Sequence, residues 1–245
     1  MKTVLITGAN KSIGFEAARQ LAENNYYVYM GCRNVANGEE AVAKLNEKGI
    51  KNIEALQIDV TDETSIAKAA KYLEEKISSL DVLINNAGIS GGFPQTATQI
   101  DTATIRKVFD TNFFGVINVT HAMMELLKKS DAPRIVNVTS GLASLTLHTD
   151  LSWRFYQFKS AAYGPSKTAL NAYTIALAYE LRDTPFKVNA VDPGFTATDF
   201  NQHRGTGNVT DAAARLVKFA MLNNEGPTGQ FFSDDNNSAT GISPW

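Results

Sequence analysis

The chain has 245 residues, 44% of them hydrophobic and 20% charged, enough to bury a large core, and an α/β fold of this length is commonly one domain, here residues 1–245. Lys and Arg number 23 against 25 Asp and Glu, a net charge of −2 without a basic tract or acidic tail; this points away from a nucleic-acid or membrane surface and toward small-molecule chemistry. A single cysteine, Cys32, excludes an intramolecular disulfide and any multi-cysteine metal site, His121, His148 and His203 are too scattered to read as metal ligands, and no apolar run approaches membrane-spanning length, so a soluble cytoplasmic protein without a metal is expected.

Lys2 to Thr7 is a β-branched, apolar run suited to a strand buried on both faces. It leads into Gly8-Ala9-Asn10-Lys11-Ser12-Ile13-Gly14 and a helical pattern through Phe15, Ala18 and Leu21. Strand, glycine turn and helix start in that order aim backbone N–H groups at a pyrophosphate, and glycine lets a ligand approach the backbone closely. A plain tight turn has the same local pattern. The next predicted strand, Tyr26 to Gly31, ends at Cys32-Arg33-Asn34, where a dinucleotide-binding βαβ unit presents an acid to the adenosine ribose. No acid is present; Arg33 and Lys11 either clamp a 2′-phosphate or are ordinary surface cations.

Glu39 to Lys48 reads as a helix, Ile53 to Ile58 as a strand ending in Asp59-Val60, and Thr61 to Ile77 as a helix. Asp81 to Ile84 is a strand leading into Asn85-Asn86-Ala87-Gly88, where small residues permit a flat ligand to lie against the backbone and the two asparagines can equally satisfy loop groups. Thr102 to Lys129 predicts one long helix, or two joined near Gly115. Asn112 lies on its apolar face, so its amide needs a structural partner, or it holds a water or a backbone carbonyl near the site. Arg134 to Thr139 is the next strand, with Ser140 at its carboxyl end, where open α/β sheets place ligands.

Ser160 to Leu181 forms an amphipathic helix that sets Tyr163 and Lys167 four positions apart on one face. A neighbouring ammonium favours phenolate and would lower a phenol from its usual value of about 10, making it a general acid or base. Alone, the pair reads equally as a packing residue beside a solvated charge. Phe186 to Val191 is a strand ending in Asp192-Pro193-Gly194-Phe195-Thr196-Ala197-Thr198; Asp199 to Val209 lacks periodicity and reads as a mobile lid; a helix opens at Thr210-Asp211, and Gln230 to Phe232 forms a last strand. The alternation predicts an α/β fold, a doubly wound (Rossmann-type) parallel sheet of about seven strands with helices on both faces.

Taken together these stretches resemble the short-chain dehydrogenase/reductase family over nearly the whole chain. Its glycine turn matches Thr7 to Gly14, its N-N-A-G matches Asn85 to Gly88, its Asn and Ser match Asn112 and Ser140, its Y-x-x-x-K matches Tyr163 and Lys167, and its P-G turn matches Pro193-Gly194. The ending Gly226-Pro227-Thr228-Gly229-Gln230-Phe231-Phe232, closing on Pro244-Trp245, looks like the carbonyl reductases within it. The resemblance implies an NADP(H)-dependent oxidoreductase that reduces a small-molecule ketone or aldehyde. Tyr163 would give the proton, Ser140 orient the carbonyl, Lys167 hold the nicotinamide ribose and lower the tyrosine, and Asn112 anchor a water in the relay. Gly8, Asn10, Lys11, Ser12, Ile13 and Gly14 would bind the cofactor with Arg33; Asp59 and Val60 would flank the adenine, Asn86, Ala87 and Gly88 the adenosine side, and Pro193, Gly194, Thr196 and Thr198 the carboxamide and phosphate end. A cofactor-sensing module without turnover and an NAD-dependent alcohol dehydrogenase are the competing readings; intact Asn112, Ser140, Tyr163 and Lys167 oppose the first and Arg33 the second.

Two departures stand out. Ser12 replaces the family's middle glycine, which costs about 1 kcal/mol if the position needs a positive φ. Tyr163 follows Ser140 by 23 positions, and the extra residues include Leu151, Trp153, Phe155, Tyr156 and Phe158. This aromatic segment either walls an apolar pocket with Leu142, Leu145 and Phe195, screens a helix face used for assembly, or packs on its own domain. Monomer and homo-oligomer both stay open.

Overall fold

A computed structural model describes all 245 residues. Seven parallel strands form one sheet in the order β3-β2-β1-β4-β5-β6-β7. They are β1 (Lys2–Thr7), β2 (Tyr26–Cys32), β3 (Ile53–Gln57), β4 (Val82–Asn85), β5 (Arg134–Val138), β6 (Lys187–Val191) and β7 (Phe231–Phe232). The helices between them are α1 (Ser12–Glu23), α2 (Val35–Glu47), α3 (Glu63–Lys76), α4 (Thr102–Phe109), α5 (Gly115–Leu127), the short α6 (Leu145–His148), α7 (Tyr163–Glu180) and α8 (Val209–Ala220). No helix is long and apolar enough to cross a membrane.

Side chains alternate across each strand, so β1 feeds two cores. Val4 and Ile6 pack with Leu21 of α1, Leu45 of α2 and Leu216 of α8. Leu5 points the other way, to Leu73 of α3, Met123 of α5 and Leu177 of α7. Strand order reverses beside β1, whose neighbours are β2 and β4. The loops leaving β1 and β4 therefore diverge and open a crevice at the carboxyl edge, the usual ligand position in such sheets.

The departures from the sequence reading have local causes. The second helix begins at Val35 rather than Glu39 because the Asn34 side chain accepts a hydrogen bond from Asn37 N at 3.2 Å and caps it. Thr102 to Lys129 is two helices, joined by a π-helical turn over Asp110–Phe114 that ends at Gly115. A Cβ at Gly115 would lie 2.8 Å from Val60 O, so this glycine lets the helix pass close to the end of β3. Between Asp199 and Val209, where an irregular lid is expected, Asp199–Asn201 forms a 3₁₀ turn boxed by Thr198 and Asn201, and Thr196 pairs with Gly207.

Candidate active site

Backbone geometry in the glycine turn leaves little freedom. Gly8 has φ +66°, and a Cβ there would sit 2.9 Å from Ala87 Cα; at Gly14 a Cβ would lie 2.6 Å from Asn86 Nδ2. Asn86 binds the two loops together, donating through Nδ2 to Thr7 O at 2.9 Å and Gly8 O at 3.0 Å, while Thr7 Oγ1 accepts from Asn86 N and Ala87 N. Its side chain thus shapes the cradle. Ser12 adopts φ +52°, the left-handed conformation anticipated from its place in the motif. Ser12→Gly is expected to relieve that strain at some cost in chain entropy, for a net gain of about 0.5 kcal/mol, read as a rise of about 1–2 °C in thermal unfolding.

The cradle fits a dinucleotide. Side chains cap α2, α3, α4 and α8 at Asn34, Asp62, Asp101 and Asn208, but none caps α1 at Lys11. The first N–H groups of α1 thus keep their capacity for an anion beside Gly8 and Gly14. Arg33, at the end of β2, is exposed and makes no ion pair or hydrogen bond, whereas Lys11 holds Asp199 at 2.9 Å. Both partners of that pair are largely solvated, so it is worth little and yields readily to a phosphate. Asp59 binds Thr61 N and Oγ1 through Oδ1 at 2.9 and 2.7 Å, and Val60 is buried beside it.

Asn112 is fully buried in the π-helical turn. It accepts from Ile89 N and donates to Ile89 O, each at 2.9 Å, and donates to Ser166 Oγ at 3.1 Å. Two of the roles left open by the sequence coincide: Ser166 is a structural partner and Ile89 O is a backbone carbonyl held near the site, so Asn112 fixes the backbone just beyond Gly88 to the helix bearing Tyr163 and Lys167. A Cβ at Gly88 would lie 3.4 Å from Asn112 Oδ1 and 3.6 Å from Lys167 Nζ, so this backbone faces the site's polar groups. Asn85 turns away, donating to Thr120 and Asn137 behind the sheet edge.

Gln95 has no periodicity or motif to single it out in the sequence, yet it holds the start of α7. Ala162 has no capping side chain; instead Gln95 Oε1 accepts from Ala162 N at 3.1 Å and Tyr163 N at 3.0 Å. Its amide donates to Ser90 O and Gly92 O, and it is buried. Gln95→Ala leaves two helix N–H groups and two loop carbonyls without this partner, an expected loss of about 2 kcal/mol in unfolding free energy by denaturant titration.

Tyr163, Ser140 and Lys167 meet at the carboxyl ends of β5 and β6. Tyr163 and Lys167 are both buried on the first turns of α7, and Lys167 Nζ donates to Val138 O at 2.7 Å. Ser140 Oγ accepts from Leu142 N at 3.2 Å. Burial pushes the Tyr163 phenol above its ordinary value, a hydrogen bond from Ser140 acts the other way, and the charge of Asp192 raises it further. The expected lowering by Lys167 is therefore overturned in direction: desolvation of the phenol dominates, and burial also pushes Lys167 down to about 8.

The aromatic segment packs on its own domain in part, with Leu151 and Phe158 exposed. Trp153 is buried and donates through Nε1 to Asn236 Oδ1 at 3.2 Å. Ring contacts run from His148 to Trp153, Phe155 and Phe195, with centroids 5.1, 5.6 and 6.4 Å apart. Phe155, rather than Trp153, meets Phe195 of the Pro193-Gly194 turn, and Leu145 faces solvent. Phe200, in the Asp199–Asn201 turn, lies 5.3 Å from the Tyr163 ring. Thr196 and Thr198 are buried; the Thr196 hydroxyl is turned onto Pro193 O and Gly194 O, and Thr198 closes the following turn.

Comparison with known proteins gives the arrangement its context. The family model described as short chain dehydrogenase matches residues 2–208. Salutaridine reductase of Papaver bracteatum is 30% identical, over 95% of this chain and 94% of that protein. The short-chain dehydrogenase anuI of Penicillium roqueforti is 35% identical, over 96% and 94%. The crystal structure of NADPH-bound carbonyl reductase from chicken fatty liver superposes with a TM-score of 0.85 at 26% identity, covering 100% of this chain and 99% of that one.

Proposed function

The chain belongs to the short-chain dehydrogenase family, and from that premise we propose that it is a cytoplasmic, NADPH-dependent carbonyl reductase, a single catalytic domain over residues 1–245 that converts an apolar ketone or aldehyde to the alcohol. The observation that carries the reading is the burial of Tyr163 and Lys167 together on one helix, with Lys167 donating to Val138 O at the end of the strand that leads to Ser140. Two relatives named for a reduction, salutaridine reductase and the chicken carbonyl reductase, point the same way.

NADPH, when bound, supplies the hydride that reaches the carbonyl carbon. Gly8, Asn10, Lys11, Ser12, Ile13 and Gly14 would hold its pyrophosphate side, and Arg33 with Lys11 its 2′-phosphate. Asp59 and Val60 would flank the adenine, Asn86, Ala87 and Gly88 the neighbouring ribose, and Pro193, Gly194, Thr196 and Thr198 the carboxamide end. Tyr163 gives its hydroxyl proton to the carbonyl oxygen as charge develops there, and Ser140 donates a hydrogen bond to the same oxygen. Lys167 supports the nicotinamide ribose and, when protonated, offsets negative charge left on the phenol. Asn112 holds the Ile89 backbone that faces them. Phe155, Phe195 and Phe200 exclude water from the reacting face and suit an apolar substrate.

The test is a set of initial rates with NADPH and NADH side by side, over aliphatic and aromatic ketones, aldehydes and diketones. NADPH consumption with at least one carbonyl class is the expected result. A preference for NADH would overturn the assignment of Arg33 and Lys11, and NADPH binding without turnover across the panel would favour a sensor.

A further inference from the structure

The first turn of α7 carries Tyr163, and its backbone donors are all satisfied. Gln95 Oε1 accepts from Ala162 N at 3.1 Å and Tyr163 N at 3.0 Å, Ser160 Oγ accepts from Gly164 N at 2.8 Å, and Pro165 has no N–H to place. A serine, threonine or aspartate at Ala162 would satisfy such donors locally. A local cap, however, would tie α7 to nothing else. The chain instead reaches across 67 positions with one buried glutamine, 5% exposed, whose backbone O also accepts from Ala161 N at 3.2 Å.

The other end of the same amide holds the segment that follows Asn86-Ala87-Gly88. Gln95 Nε2 donates to Ser90 O at 2.5 Å and Gly92 O at 2.8 Å. Gly91 between them has φ +78°, and a Cβ there would lie 2.5 Å from Val108 Cγ2 and 3.3 Å from Gln95 Nε2, so only glycine lets this turn close around the amide. Asn112 holds the neighbouring Ile89 through both N and O and donates to Ser166 Oγ, which donates in turn to Tyr163 O at 2.7 Å. Tyr163 is thus tied to residues 89–92 twice, at its N through Gln95 and at its O through Ser166 and Asn112. Gln95 spends its amide on these four bonds, two accepted and two donated, and so keeps no capacity for a ligand.

We propose that Gln95 is a positioning residue for Tyr163, setting the phenol in register with the cofactor side of the site by tying the first turn of α7 to the Ser90–Gly92 turn beyond Gly88. The proposal rests on the reading of Tyr163 as proton donor. Proton and hydride must reach adjacent atoms of one carbonyl, so the tyrosine and the loop that carries Gly88 have to be held as one body. Misplacement by about 1 Å can cost about 10²-fold in rate even when its origin is remote from the chemistry. Gln95 bonds the Tyr163 backbone and not its hydroxyl, so its effect on the reaction passes entirely through the placement of that residue.

The test separates the tie from the cap. Gln95→Glu keeps an acceptor for the two helix N–H groups, where a carboxylate suits the helix N-terminus, but has no amide donor for Ser90 O and Gly92 O. Gln95→Met keeps length and apolar packing and loses both functions; it carries no charge, so an effect common to the two variants is not electrostatic. Single-turnover NADPH oxidation is followed in light and heavy water with the best-reduced carbonyl of the panel above, alongside NADPH titration and thermal unfolding. Both variants are expected to slow turnover by about 10–10²-fold and to raise the light-to-heavy-water rate ratio above that of the wild type, because transfer of the Tyr163 proton becomes the slow step. NADPH affinity should stay within a few-fold, and Glu should unfold nearer the wild-type temperature than Met. A smaller fraction of folded enzyme lowers the rate without moving the ratio. A wild-type rate and ratio in the Glu variant, or an unchanged ratio in whichever variant folds, would therefore overturn the proposal and leave Gln95 a helix cap. Retained turnover in Tyr163→Phe would instead overturn the proton-donor reading beneath it, so the two failures are distinguishable.

Discussion

Tyr163→Phe is expected to reduce carbonyl turnover by about 10²–10⁴-fold, the range over which a positioned general acid contributes, while NADPH binding stays within a few-fold of the wild type. The substitution removes one oxygen and keeps the ring, which is buried and packed 5.3 Å from Phe200. Ser140 retains its hydrogen bond from Leu142 N, and Lys167 retains Val138 O. The fold therefore loses little, and the missing proton should appear almost entirely in kcat. Stopped-flow turnover together with a fluorescence titration of NADPH separates the two effects. A fall of less than tenfold would move proton donation to another group, and unchanged turnover would remove Tyr163 from the chemistry.

Reversing the charge at Arg33 should produce the second large effect, in cofactor choice. Arg33→Asp is expected to cost about 10–150-fold in kcat/KM with NADPH, since a hydrogen bond to a charged group contributes roughly 1.5–3 kcal/mol and the new carboxylate repels the 2′-phosphate. The same carboxylate can accept from the ribose hydroxyls of NADH, so the NADH rate should rise. Arg33 is exposed and unpaired, and unfolding free energy should change by no more than about 0.5 kcal/mol. A preference for NADPH that rests on Arg33 should also weaken with added salt, because exposed charges are screened over about 10 Å at 0.1 M. Equal losses with both cofactors would show that Arg33 does not read the 2′-phosphate.

The site's backbone was readable from its residues in chain order. Apolar, β-branched strands followed by small-residue turns leave few folds other than an open parallel sheet, and such a sheet brings every turn to one edge. Chain order alone therefore places Gly8, Gly88, Ser140 and Pro193 together. Tyr163 and Lys167 followed from a four-residue helical spacing. Element ends were less legible where a side chain settled them from outside the periodic pattern, as Asn34 does for α2.

Contacts between distant segments were not legible. Gln95 caps α7 from 67 positions away, and nothing local distinguishes it from any other loop glutamine. Asn112 was recognisable as a buried amide in need of partners, but only the fold reveals Ile89 and Ser166 as those partners. The position of Lys11 suits a phosphate clamp or a surface cation alike, and only the fold reveals its ion pair with Asp199, 188 positions away. The upward shift of Tyr163 is hidden for a related reason: sequence spacing reveals the neighbouring ammonium but not the burial that raises the phenol.

The sequence by itself determined the fold class and the order of the turns, and singled out the candidate side chains Ser140, Tyr163 and Lys167, because these depend on local periodicity and on residues within a few positions of one another. The tertiary structure alone decided which groups hold those side chains in place, how deeply they are desolvated and which charges lie beside them. Desolvation and buried electrostatics depend on everything packed within several ångströms, and in a parallel sheet those neighbours come from segments a hundred or more residues apart.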